Sequence, residues 1–205
     1  MADIKAELIQ ILNTALELEH AARIQYLAHA ELVQGLNAEP IVERLKEIAS
    51  DEQKHEGIFR ELIGSYLGGE PSMGLAETHP AKETTKILKV NLKDEKAAID
   101  FYKQIYKKVI ANKDALPYEF ETLEHQIRHV IIDEQEHVTE LSLLLGLPIE
   151  ALDAAFLLSN DLNIAYTTTI EINGEIKRFL FCGTGEANKL SRVKIQKLGG
   201  NSRSG

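Results

Sequence analysis

Apolar residues return along most of this chain at steps of three and four. Leu12, Leu16, Glu19, Ala22, Tyr26, Ala30 and Val33 share one such stripe, the pattern of a helix with one buried face. It predicts a first helix over residues 4–35, stopped by Gly35. A second begins near Pro40, a residue suited to a first turn. Its inner face reads Leu45, Ile48, Glu52, His55, Phe59, Leu62 and Tyr66. The glycine- and proline-containing run 68–74 ends it, and a crossover through His79-Pro80 follows. The third helix is predicted over 81–112, with Leu88, Leu92, Glu95, Ala98, Tyr102, Ile105 and Val109 inward. Pro117 opens the fourth, with Phe120, Leu123, Ile127, Val130, Glu134, His137, Leu141 and Leu144 inward, and Gly146-Leu147-Pro148 closes it. Two short connections around one long one are what a four-helix bundle with a single crossover requires.

The pattern changes beyond residue 148. Residues 149–160 read as a short helix. Residues 164–172 then alternate with period two and are rich in β-branched side chains, and Asn173-Gly174 is a two-residue hairpin signal. Pairing across that turn puts Tyr166, Ile170, Phe179 and Phe181 on one face. Residues 192–198 read as a third strand and 199–205 as disordered. The expected organisation is all-α: a bundle over 1–147, and an appendage over 148–205 made of a short helix and a small β-hairpin tail.

The polar members of the apolar stripes carry the chemistry. Asp51-Glu52-Gln53-Lys54-His55 and Asp133-Glu134-Gln135-Glu136-His137 are two copies of Asp-Glu-x-x-His. Three residues along a helix are about 300° of rotation, so the Glu and His of each copy share a face and can reach one metal ion. A two-metal carboxylate site in a bundle takes such a pair from each of two helices and one Glu from each of the others. Glu19 and Glu95 are the matching pair, and each is followed seven residues later by a tyrosine, Tyr26 and Tyr102. The chain is thus an internal duplication. The tyrosines are read as core aromatics or as hydrogen-bond donors to a ligand carboxylate. Asp51 and Asp133 are read as partners for the outer nitrogen of a ligand histidine, or as surface acids. Arg23, one turn from Glu19, is expected to pair with an acid. His125 and His129 point away from Glu134 on the fourth helix. Oxygen and imidazole donors suit iron or manganese better than copper or zinc.

With a formal charge of −9 over 205 residues, nucleic acid is not the expected partner. From Ile164 onward seven Lys and Arg stand against three Asp and Glu, so the tail is basic beside an acidic bundle. The single cysteine, Cys182, rules out an internal disulfide framework and a four-cysteine iron site. The run Cys182-Gly183-Thr184-Gly185 is read as a turn. No long apolar run or signal peptide is read, so no membrane partner and a cytoplasmic location are expected.

These residues resemble the ferritin-like di-iron carboxylate superfamily, in its bacterioferritin and rubrerythrin branch, over about residues 5–146. The resemblance implies a ferritin-like bundle in which Glu52 and Glu134 bridge two iron ions. Glu19 with His55, and Glu95 with His137, would be the terminal ligands. Manganese or a mixed pair would fit the same set. Bacterioferritins carry a haem-binding Met directly after the first motif Glu, and Gln53 here argues against haem at that place. Rubrerythrins carry a four-cysteine domain and a further Glu one turn after the third-helix ligand, where this chain has Ala98. The implied activity is reduction of O2 or H2O2 by a non-haem di-iron centre, with Fe(II) as electron source in a ferroxidase-like reaction. The alternatives are a rubrerythrin-like peroxidase fed by an electron-donor protein, and an iron-binding or storage protein without rapid turnover. A homo-oligomer is expected.

Overall fold

The computed structural model describes residues 4–147, 166–172 and 175–181. The chain divides into two units, Met1–Ile149 and Glu150–Gly205. In the first, four long helices run in order: α1 (Ile4–Ala30), α2 (Ala38–Glu61), α3 (Thr84–Ala111) and α4 (Phe120–Leu144). α1 packs chiefly along α2 and α3 along α4, with narrower α1–α3 and α2–α4 faces closing the bundle. Leu8, Leu12, Leu16, Leu45, Ile48, Phe59, Ile105, Leu123, Ile127 and Val130 are fully buried, so the three-four stripes meet at the centre as expected.

The helix ends differ from the expected ones for local reasons. α1 stops at Ala30 because Gln34 is clipped to Thr84, its N–H donating to Thr84 Oγ1 and its carbonyl accepting from that hydroxyl. α3 starts at Thr84, since the Ala81 N–H is held by His29 Nε2 at 3.1 Å. α4 starts at Phe120, a turn after Pro117. It ends where Gly146 takes a φ of 65°. There Leu147 N–H donates to Ser142 and Gly146 N–H to Leu143, which satisfies two of the last carbonyls.

Two features lie outside the simple periodicity. Leu62–Tyr66 form a π-helical turn at the end of α2. Its wider i→i+5 step brings Leu67 in beneath Leu62, with Ile63 beside it, and turns Tyr66 out. Tyr66, expected on the inner face, is therefore exposed. The crossover, residues 67–83, is a strap tied along α1. Asn13 bonds to Glu70 and Ser72, Glu17 to Ser72 and Ala76, and His20 to the Gly74 carbonyl. Gln25 then holds His79, and His29 holds Ala81. The strap ends beside the end of α1, where α3 begins.

The second unit contains an antiparallel hairpin. β1 (Tyr166–Ile172) pairs with β2 (Glu175–Phe181), Tyr166 opposite Phe181 and Ile172 opposite Glu175. The register is the one expected from a turn at residues 173–174. The expected helix over 149–160, the turn at 182–185, the third strand over 192–198 and the tail 199–205 lie outside the described residues, as do the side chains of the hairpin.

Candidate metal centre

Each helix delivers its part of the site from the middle of its buried stripe. α1 supplies Glu19 and Tyr26, α2 Glu52 and His55, α3 Glu95 and Tyr102, and α4 Glu134 and His137. None of the eight is more than 4% exposed. Six of them form two overlapping clusters that could hold metal. One is Glu19, Glu52, His55 and Glu134, and the other Glu52, Glu95, Glu134 and His137, with the ligand atoms of each within 4.8 Å of one another. Glu52 and Glu134 belong to both.

Both imidazoles turn Nδ1 inward. His55 Nδ1 lies 3.1 Å from Glu52, 3.2 Å from Glu134 and 3.6 Å from Glu19. His137 Nδ1 lies 3.1 Å from Glu134, 3.4 Å from Glu52 and 3.8 Å from Glu95. The outer nitrogens find their partners across the duplication. His55 Nε2 lies 3.3 Å from Asp133, and His137 Nε2 lies 3.7 Å from Asp51. The tyrosines cross over as well. Tyr26 of α1 donates to Glu95 of α3, and Tyr102 of α3 donates to Glu19 of α1.

Burial and the charges of Glu52 and Glu134 push Glu19 well above the ordinary carboxylate range. Burial, with Glu134 beside it, pushes Glu95 up to about 8. Burial also works against Glu52 and Glu134, yet hydrogen bonds from the two histidines help hold both below the usual range. For His55 and His137 burial opposes the charge, but Asp133 and Asp51 with the surrounding carboxylates raise both well above the ordinary imidazole value. The phenols are pushed up by burial and by Glu95 and Glu19, so they stay protonated donors.

This donor set fits a pair of divalent cations. Four buried carboxylates without compensation would be prohibitive, and two such cations balance them. Glu52 Oε1 is buried without a hydrogen-bond partner among the described residues. A cavity of about 160 Å³ lies between α1 and α3 and reaches Glu19, Glu52, Glu95 and Glu134. Ala22 and Ala98, expected in the core, are half-buried and form its walls.

A family model described as a ferritin-like domain matches residues 9–148. The chain belongs to the ferritin-like domain family. A 91-residue stretch is 32% identical to a bacterial ferritin of Pseudomonas aeruginosa, and covers 44% of this chain and 58% of that relative's length. A ferritin-like, diiron-carboxylate protein of Bacillus anthracis is similar in structure, with a TM-score of 0.64 at 28% identity, over 71% of this chain and 99% of its own. The bacterioferritin of Rhodobacter capsulatus has the same fold, with a TM-score of 0.62 at 22% identity over 69% and 84% of the two chains. Among the described residues no helix is long and apolar enough to cross a membrane.

Two polar networks beside this ferritin-like site were not expected from sequence. Glu56, buried one turn after Glu52, takes Arg23 Nε and Arg60 Nη2, each at 2.5 Å. Its signal was present, since Arg60 stands four residues on and Arg23 was expected to find an acid. Near the cavity, Gln25 donates to Asn91 and Asp94, each at 2.9 Å, and His29 Nδ1 meets Asn91 Oδ1 at 3.1 Å. Those partners are more than 60 residues apart, so no local pattern announces them.

Proposed function

We propose that the chain is a non-haem di-iron oxidoreductase that reduces O2 or H2O2, with further Fe(II) as its electron source in a ferroxidase-like reaction. The observation that carries this reading is the sharing of Glu52 and Glu134 between the two donor clusters. In this reading Glu19, Glu52, His55 and Glu134 would hold one metal ion and Glu52, Glu95, Glu134 and His137 the other, with Glu52 and Glu134 common to both. The likeness to a diiron-carboxylate protein at 28% identity supports iron as the metal. An iron pair held there supplies the two electrons that reduce the oxidant.

The chain's own residues prepare that chemistry. Asp133, 3.3 Å from His55 Nε2, and Asp51, 3.7 Å from His137 Nε2, favour the proton on each outer nitrogen, so that on metal binding each ring would give up its Nδ1 proton and turn that lone pair inward. Tyr102 and Tyr26 hold one oxygen each of Glu19 and Glu95, and leave the other to the metal. The raised pKa values of Glu19 and Glu95 mean that metal binding displaces protons. The cavity is ample for O2 or H2O2. The Ala98 methyl stands in its wall where rubrerythrins place a further carboxylate, which favours the ferroxidase reading over the peroxidase one.

Stopped-flow absorbance tests this on protein loaded anaerobically with two Fe(II) per chain and mixed with O2 or with H2O2. Fast oxidation by O2, with turnover on added Fe(II), is the expected result. A much faster reaction with H2O2 would make it a peroxidase. No reaction with either would overturn the redox reading in favour of metal holding or manganese.

A further inference from the structure

α4 carries a second set of ligand-type side chains outside the centre. Glu121, His125, His129 and Asp133 follow at intervals of four residues, so each is the neighbour of the next along the helix surface. His125 and His129 are exposed, and Asp133 is half-buried. The two imidazole rings lie 4.4 Å apart between centroids and are tilted by 58°. That separation is close to what two imidazoles need to share one ion.

The surroundings leave both rings available. Arg128 is engaged with Glu124, Nε to Oε1 at 2.8 Å, and reaches His125 Nδ1 only through Nη2 at 3.4 Å. The His125 Nδ1 lone pair therefore already faces a cationic group, and an ion there would displace one long contact. Partial desolvation first, and then its neighbours His125 and Arg128, push His129 below the ordinary imidazole value, with Asp133 and Glu124 opposing. A neutral ring is the form that ligates. Hydrophobic packing does not explain two adjacent exposed imidazoles.

We infer that His125 and His129 form a surface site for one divalent transition-metal ion, with water completing its coordination. A pair of imidazoles suits zinc, nickel, copper or ferrous iron. Asp133, one turn on from His129, is held by His55 Nε2 at 3.3 Å, so the histidine pair stands beside the candidate centre and shares no ligand with it. The inference does not depend on the centre's being a redox site, because none of its two principal ligands belongs to that centre.

Equilibrium dialysis of the full chain against Zn(II) at neutral pH, counting bound zinc per chain, reads the site directly. The variant carrying His125→Ala and His129→Ala is expected to bind one zinc fewer than the parent. Glu52→Gln with Glu134→Gln is expected to lose the zinc of the centre and keep the surface ion, which separates failure of the centre from failure of this site. In NMR spectra, sub-equimolar Zn(II) added to that centre variant should shift the His125 and His129 ring resonances. Equal stoichiometry in the parent and the double histidine variant, or unshifted rings, would overturn the inference.

Discussion

Tyr26 and Tyr102 illustrate how much depends on single hydroxyls here. Each donates to a buried carboxylate on another helix. Removing one leaves a buried oxygen unsatisfied, at about 1–3 kcal/mol. Tyr26→Phe and Tyr102→Phe should therefore each lower the stability of metal-free protein by that amount in urea unfolding, and by similar amounts because the two environments mirror each other. His29 makes a different prediction. The Ala81 N–H donates to Nε2, so Nδ1 carries the proton and donates to Asn91. Burial holds this imidazole below its usual pKa, while Asn91 and the nearby charge of Asp94 oppose that shift. The unfolded chain then binds a proton that the folded chain refuses. Its contribution is present at high pH and is lost as pH falls through the unfolded value of about 6.5. Unfolding free energies measured from about pH 8 to about pH 5 should fall less steeply for His29→Gln than for the parent.

At the scale of elements, the strap decides more than its irregular backbone implies. Gly69 sits so close to α1 that an added Cβ would meet three atoms of Ile9 at 2.8–2.9 Å. Gly69→Ala should cost about 1–3 kcal/mol, as overpacking does, read as a lowered Tm. The π turn leads to the opposite expectation. Deleting the exposed Ser65 would turn its i→i+5 step into an ordinary i→i+4 step and keep Leu67 beneath Leu62. The shortened chain should fold with a nearly unchanged Tm and unchanged metal stoichiometry. These elements also mark where the sequence was legible. The four stripes, the duplicated motif and the Glu–Tyr pairs are local periodicities, and one register serves each helix. Tyr66 was misplaced because one extra residue in a turn rotates everything after it, and hydrophobic spacing does not register that rotation. Glu52, His55, Glu134 and His137 stood out as polar interruptions of apolar stripes. Gln25, His29 and Asn91 did not, because their partners are brought by the strap and by α3 from distant parts of the chain. The tyrosine partners were open for the same reason: helical spacing says which face a residue occupies, and says nothing of which neighbouring helix it meets.

For the whole molecule, the proposed centre would link metal to fold. A metal pair that binds the folded bundle and not the unfolded chain adds about 2.7 kcal/mol at a hundredfold excess over its Kd. For a unit of this size that is a rise of roughly 5–10 °C in Tm. Thermal unfolding with Fe(II) under anaerobic conditions, against the same protein with a chelator, should show it, and Glu52→Ala should abolish it. The crossed partners carry a further consequence. Asp133 serves His55 and Asp51 serves His137, and each tyrosine serves the other repeat's glutamate. Neither repeat contains a complete set of these partners, so neither would supply the proposed centre alone in this way. Two identical half-length chains related by a twofold axis would supply every one of these contacts. The bundle has the internal plan of a homodimer whose subunits have been fused, and the strap along α1 is the joint.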